Sequence, residues 1–114
     1  MELNTEEMDG GIVIIRLLGR MDMRGAEQVD LKVAGVTAVN HGKFIVDMSG
    51  VDFLASIGIR TLLMSAKAVK ARGGMLVLFR PVPLVADVLD MAGIADLIPV
   101  FHEFDPARVA LTAA

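Results

Sequence analysis

The stretch Val46-Asp47-Met48-Ser49-Gly50-Val51-Asp52-Phe53-Leu54-Ala55-Ser56-Ile57-Gly58-Ile59-Arg60 concentrates the hydroxyls, carboxylates and glycines of this chain that could act on another molecule. It reads as a strand end, a loop and the start of a helix. Open α/β sheets bind ligands at that place, beyond the carboxyl ends of their strands. The pattern puts Ser56 at the N-cap, where its hydroxyl would accept from an orphan amide one turn in. A phosphate on the same oxygen would meet free amides and the positive end of the helix dipole, so one residue could serve both structure and regulation. Gly58 falls in the first turn, where glycine costs roughly 0.5–1 kcal/mol relative to alanine. Either this turn packs closely on a neighbouring segment, or another molecule's backbone approaches it.

Other chemistries find less support. Ser56 as a nucleophile would need His41 or His102 as its base, but no Gly-x-Ser-x-Gly elbow surrounds it, and the expected reading is not an enzyme. His41 reads as a loop residue after a helix and His102 as a surface residue after the last strand. Two histidines 61 positions apart, no cysteine and scattered carboxylates leave no metal-ligand spacing, and no cofactor is expected. The glycine pair Gly73-Gly74 lies at a helix end and does not form a phosphate-cradling loop.

Composition narrows the partners. The 114 residues, 54% of them hydrophobic, suit one compact domain over 1–114, and the lack of cysteine excludes a disulfide framework. Mean hydropathy is +0.61, yet no window reaches the roughly 18 apolar residues that span a bilayer. No direct membrane insertion is expected. The N-terminus, Met1 to Asp9, is acidic where a signal peptide would be basic, which makes the cytoplasm the expected compartment. With no Trp or Tyr, only five Phe and a net charge of −3, nucleic acid is not expected as a partner. The charges are segregated: residues 53–86 carry five bases and no acid, whereas residues 87–107 carry five acids and no base. An acid-free stretch centred on Arg60, Lys67, Lys70 and Arg72 can attract an anionic partner.

The elements that must position these residues follow from periodicity. Residues 2–8 and 12–18 predict a hairpin around Asp9-Gly10-Gly11. Ala26, Val29, Val33, Val36 and Val39 give helical spacing over 25–39, stopped by Asn40-His41-Gly42. A buried strand over 43–48 precedes the loop Ser49 to Ala55. A helix over 56–72 follows, with Ile59, Leu62, Leu63, Ala66 and Val69 as its apolar stripe. Residues 75–79 form another strand. Pro81 and Pro83 lead into a helix carrying Leu84, Val85, Val88, Leu89 and Met91, closed by Gly93. An edge strand over 97–101 and a helix over 105–112 complete the chain. The order β-β-α-β-α-β-α-β-α predicts an α/β fold: a mixed, mostly parallel sheet of four to five strands with helices packed on it. Met64, Met75 and Met91 fall on apolar stripes or strands and are expected in the core. Met21 and Met23, flanking Asp22, are expected at an interface.

Four segments at matching spacing resemble the STAS domain of bacterial anti-sigma factor antagonists. Asp47-Met48-Ser49 and Ala55-Ser56-Ile57-Gly58 are similar to the family's Asp-Leu-Ser strand end and the Asp-Ser-Ser/Thr-Gly that opens a helix. Leu17-Leu18-Gly19-Arg20-Met21-Asp22 resembles its Leu-x-Gly-x-Leu-Asp turn. Ala71 to Leu78, and Val85 to Ile94 ending Asp90-Met91-Ala92-Gly93-Ile94, extend the likeness over nearly the whole chain.

The resemblance implies a STAS-like fold and a non-enzymatic binding switch. The unphosphorylated domain would hold an anti-sigma factor that is also a serine kinase of the GHKL ATPase type. Phosphorylation at the serine matching Ser56 would end binding, and a PP2C-type phosphatase would reset it. The implied binding surface joins Met21, Asp22 and Met23 with Ser49, Asp52, Ala55, Ser56, Ile57, Gly58 and Arg60, and a homodimer is compatible with the family. The chain departs from the motif at two positions. Ala55 stands where the family has Asp, removing a charge a kinase could read, and Ile57 stands where it has a second Ser or Thr, adding apolar contact area. The alternative within the same fold is an unregulated STAS subunit of a phospholipid-transport ATPase or of a stress-signalling scaffold.

Overall fold

Long β-branched runs of alternating exposure build a central sheet, described here from a computed structural model covering residues 1–39 and 41–113. The strands are β1 (Glu2–Met8), β2 (Ile12–Met21), β3 (Lys43–Leu54), β4 (Met75–Phe79) and β5 (Val100–Phe101). The helices are α1 (Met23–Thr37), α2 (Ser56–Ala71), α3 (Pro83–Met91) and α4 (Phe104–Thr112), with a 3-10 turn at Ile94–Asp96. The five strands lie in the order β1-β2-β3-β4-β5. The β1–β2 pair is antiparallel and every other pair parallel, as the hairpin and the crossover helices require. The expected mixed α/β architecture is therefore the one observed.

Each parallel crossover moves one strand in the same direction, which places successive helices on one face of the sheet. Val29 and Val33 of α1, Leu62 and Val69 of α2, and Val85 and Leu89 of α3 share one apolar cluster with Ile15, Leu17, Phe44, Val46 and Met48. The chain reverses only at its end. Ala107 and Leu111 of α4 cover Ile12, Ile14, Ile45, Val77 and Phe79 on the other face. Because α4 is short, it leaves that face open toward the carboxyl ends of β2 and β3, where Leu18 and Phe53 are each 36% exposed.

Several boundaries differ from the sequence expectation. β3 does not stop at Met48: it runs on to Leu54, so Ser49 to Leu54 are strand and not loop. Register shifts after Arg16 and after Gly19 absorb the irregular spacing, and Phe53 and Leu54 pair with Arg20 and Met21. Gly50 is a close-approach residue, since a Cβ there would lie 2.7 Å from Leu18 Cδ2 and 3.0 Å from Leu17 O. The Ser-Gly pair looks like a turn in sequence but serves a bulged ladder. β2 extends through Gly19, whose φ of +113 suits glycine. α1 starts two residues early and ends at Thr37, so Val39 is exposed and not a stripe residue; Asn40, read as part of the helix stop, lies outside the described residues. The expected edge strand over 97–101 is confined to Val100–Phe101, because the amides of Leu97 and Ile98 turn back to the Ile94 carbonyl and Pro99 has none to donate.

The methionines divide differently from expectation. Met64 and Met91, placed in the core by periodicity, are 58% and 90% exposed. Met64 lies on the solvent side of α2, and Met91 ends a three-turn helix whose inward face is completed by Val85 and Leu89. Among the described residues, no helix is long and apolar enough to cross a membrane.

Candidate functional site

The carboxyl ends of β2 and β3 finish side by side and feed directly into two helices. Met21 pairs with Leu54, and the Ala55 amide donates to the Met21 carbonyl at 3.0 Å. The Asp22 turn and the Ala55-Ser56 turn are thereby held together, and α1 and α2 leave the same end of the sheet.

Asp22 is the N-cap of α1. Its Oδ1 accepts from the Gly25 amide at 2.8 Å, and its Oδ2 lies 3.6 Å from Arg20 Nε. That amide bond is the largest influence, and together with the Arg20 guanidinium it holds the Asp22 carboxyl below its ordinary range against the opposing effect of desolvation. The turn is tight: a Cβ at Gly25 would sit 1.9 Å from the Arg20 carbonyl oxygen, so glycine is required there. Arg20 also lies over the Phe53 ring, 4.2 Å from its centroid, in a cation–π contact across the β2–β3 pair. Sequence reasoning missed Arg20 and Phe53. Only the shifted register that pairs them reveals the contact.

Ser56 is the first residue of α2 and is exposed, but it is not the cap. The N-cap position belongs to Ala55, whose methyl offers no acceptor, so α2 begins without a side-chain cap. The helix starts one residue earlier than the N-cap assignment assumed. The Gly58 amide turns back to the Ala55 carbonyl at 2.9 Å, and Ile59 shares that acceptor at 3.1 Å.

The other expected site residues separate into groups. Met23 is 66% exposed and Ile57 36%, and Arg60 is exposed with no carboxylate within 4.0 Å among the described residues. Met21 is wholly buried, which corrects its assignment to an interface: it is the inward residue at the end of β2, packed in the main core. Gly58 is corrected in the same way. It is buried, and a Cβ there would lie 2.8 Å from both Leu54 Cδ1 and Met21 Cγ and 3.0 Å from the Met21 carbonyl oxygen. Intramolecular packing therefore accounts for this glycine. Asp52 is exposed near the strand end, whereas Ser49 is five extended residues before Leu54, on the order of 16 Å along the strand. The Ser49 amide instead donates to Asp47 Oδ1 at 2.9 Å, and Asp47 faces Arg16 at 3.7 Å.

His41 belongs to the far end of α2. Its amide donates to the Arg72 carbonyl at 3.0 Å, roughly the length of the 16-residue helix away from Ser56. It cannot serve as a base for that hydroxyl. His102 is exposed after β5. Among the described residues, no three His, Cys, Asp or Glu side chains gather where they could hold a metal ion. The arrangement offers an exposed hydroxyl, apolar contact area and cations, which suits binding and covalent modification.

Three measurements check this geometry. Gly58→Ala is expected to lose about 1–2 kcal/mol in urea unfolding, because the clash with Leu54 and Met21 outweighs the gain in helix propensity. Ala55→Asp is expected to supply the missing cap and raise stability by about 1 kcal/mol. For Asp22 the carboxyl is depressed on folding, so its stabilising contribution is complete above the ordinary carboxyl range and fades as pH falls through the lowered value. Asp22→Asn should keep the cap and flatten that part of the acid limb of the thermal midpoint, whereas Asp22→Ala should lower the midpoint at neutral pH as well.

Comparison with known proteins agrees with this geometry. The STAS domain family model matches residues 4–107. A Bordetella bronchiseptica protein named as a candidate anti-sigma factor antagonist, BtrV, is 28% identical over 114 residues, covering 100% of this chain and 97% of that one. The anti-sigma F factor antagonist of Paenibacillus polymyxa is 26% identical over 103 residues, covering 89% of this chain and 88% of its own. Among solved structures, an anti-sigma factor antagonist from Mycobacterium paratuberculosis superposes with a TM-score of 0.86 at 22% identity, over 96% of this chain and 92% of the other. The unphosphorylated form of SpoIIAA gives 0.77 at 22% identity, over 99% and 98%. With two converging strand–helix junctions at the position of the family's motif and a family match over almost its full length, the chain belongs to the STAS domain family.

Proposed function

We propose that this protein is an anti-sigma factor antagonist: it binds an anti-sigma factor through the surface around the Asp22 turn and the start of α2, and phosphorylation of Ser56 ends that binding. The observation that carries the reading is the state of Ser56. Its hydroxyl stands exposed at the first turn of a helix that no side chain caps. A kinase can reach it without unfolding anything, and a phosphate there can accept from first-turn amides and sit at the positive end of the helix dipole. The names of the relatives support the partner class, and a kinase of the GHKL ATPase type with an opposing PP2C-type phosphatase is the pair such a switch needs.

Binding and release use different properties of one surface. Met23 and Ile57 offer apolar area, and the exposed Arg24 and Arg60 follow them along α1 and α2 with positive charge. A phosphate adds roughly −1.5 to −2 charge at neutral pH in the middle of this area. A partner seated there must then desolvate that charge or oppose it with its own acids. A coupling of about 1–3 kcal/mol weakens binding roughly 5–150-fold. The fold itself gains an acceptor at an uncapped end, so release does not require unfolding.

The test uses Ser56→Ala and Ser56→Asp with the host's anti-sigma factor. Because Ser56 is not the cap, Ser56→Ala should stay within about 0.5 kcal/mol of the parent stability and bind like it. Ser56→Asp should fold and bind at least several-fold more weakly, and incubation with the anti-sigma factor and ATP should add one phosphate that Ser56→Ala lacks. Equal affinity of Ser56→Asp and the parent, with no modification of Ser56, would reduce the protein to an unregulated binding module.

A further inference from the structure

α2 carries a second recognition feature that the switch at Ser56 does not use. At about 100° per residue, Ser56, Arg60, Lys67 and Lys70 fall within roughly 80° of one another on the helix, so they form one stripe on its solvent side. Arg60, Lys67 and Lys70 are exposed, and none has a carboxylate within 4.0 Å among the described residues. The stripe runs about 21 Å, from the first turn to the last.

It ends in an apolar groove between α2, β4 and the 3-10 turn. One part, of about 400 Å³, is lined by Ala66, Leu76, Leu97 and Pro99 together with Lys70 and Asp96. A second part, of about 160 Å³, shares Ala66, Lys70 and Leu97 with it and adds Leu63 and Lys67. Leu97 is 63% exposed beside this concavity, although Ile98 next to it is buried. An apolar trough flanked by two lysines with no carboxylate within 4.0 Å among the described residues fits a ligand with an apolar anchor and carboxylates beside it.

We infer that the stripe and groove dock an acidic protein segment, one that seats apolar side chains against Leu63 and Leu97 and places its carboxylates on Lys67 and Lys70. This extends the reading above by giving the partner a second, constitutive foothold about 20 Å from Ser56. An anionic membrane fits less well. Asp96 lines the same groove, and residues 87–107 carry five acids and no base, so a broad anionic surface would meet those carboxylates together with the lysines. A narrow segment can contact the lysines and avoid them.

The experiment titrates the whole protein against a fluorescent helical peptide bearing paired leucines flanked by glutamates. A counterpart with lysine in place of each glutamate and vesicles rich in phosphatidylglycerol serve as the other arms. The glutamate peptide should bind, weaken with added salt, and lose roughly tenfold in affinity to the double variant Lys67→Glu/Lys70→Glu and to Leu97→Ser. Circular dichroism and the thermal midpoint should stay near the parent's, as expected for exposed positions. Ser56→Asp should bind this peptide within twofold of the parent, which separates the groove from the switch: failure here leaves the Ser56 result untouched, and the reverse holds equally. Equal binding of both peptides, binding indifferent to the three substitutions, no binding of the glutamate peptide, or capture by the vesicles in preference to it would overturn the inference.

Discussion

The hydrogen bond from the Ala55 amide to the Met21 carbonyl, closing the last rung between β2 and β3, is the constraint on which the site depends. It brings two strand ends together at the point where each chain segment turns into a helix. Asp22 can then cap α1 on one side of the rung while α2 starts, uncapped, on the other. The side chains of Met21 and Leu54 fill the space beneath, and Gly58 exists because nothing larger fits over them. A backbone rung and a three-residue packing contact thus set the positions of Asp22, Met23, Ser56 and Ile57.

The division of labour across this junction has a physical logic. Residues pointing inward, Met21 and Gly58, make the platform rigid, and those pointing outward, Met23, Ser56 and Ile57, remain available. Interior packing leaves little freedom for volume changes, whereas exposed positions tolerate substitution with little effect on stability. In the proposed switch, a phosphate on Ser56 would alter what a partner meets without disturbing how the platform is held. The uncapped start of α2 belongs to the same logic, because the amide groups that Ala55 leaves unserved are the ones a phosphate can use.

The two faces of the sheet are used unequally. Three crossover helices bury most of one face, and α4 returns to cover part of the other. The uncovered remainder carries Arg20 stacked over Phe53, which shields an exposed aromatic ring with a guanidinium already held near Asp22. Charge segregation along the chain becomes spatial segregation in the fold. The acid-free stretch turns into the outward stripe of α2, and the acidic stretch into α3 and the segments after it.

Much of this was legible in the residues alone. Continuous apolar runs and 3.6-residue stripes determined the order of strands and helices, and with it the mixed sheet, because burial demands those periodicities. The motif spacing singled out Ser56 and the Asp22 turn. Whether Gly50 marks a turn or a bulge, whether Met21 faces a partner or the core, and whether Gly58 makes room for a partner or for Met21 itself were decided only by the tertiary structure. Each depends on strand register, and a register shift moves a side chain from one face to the other without leaving any trace in local sequence. The cap of α2 was misplaced by a single residue for a related reason: serine is a good N-cap, but the ladder that continues to Leu54 decides where the helix can begin.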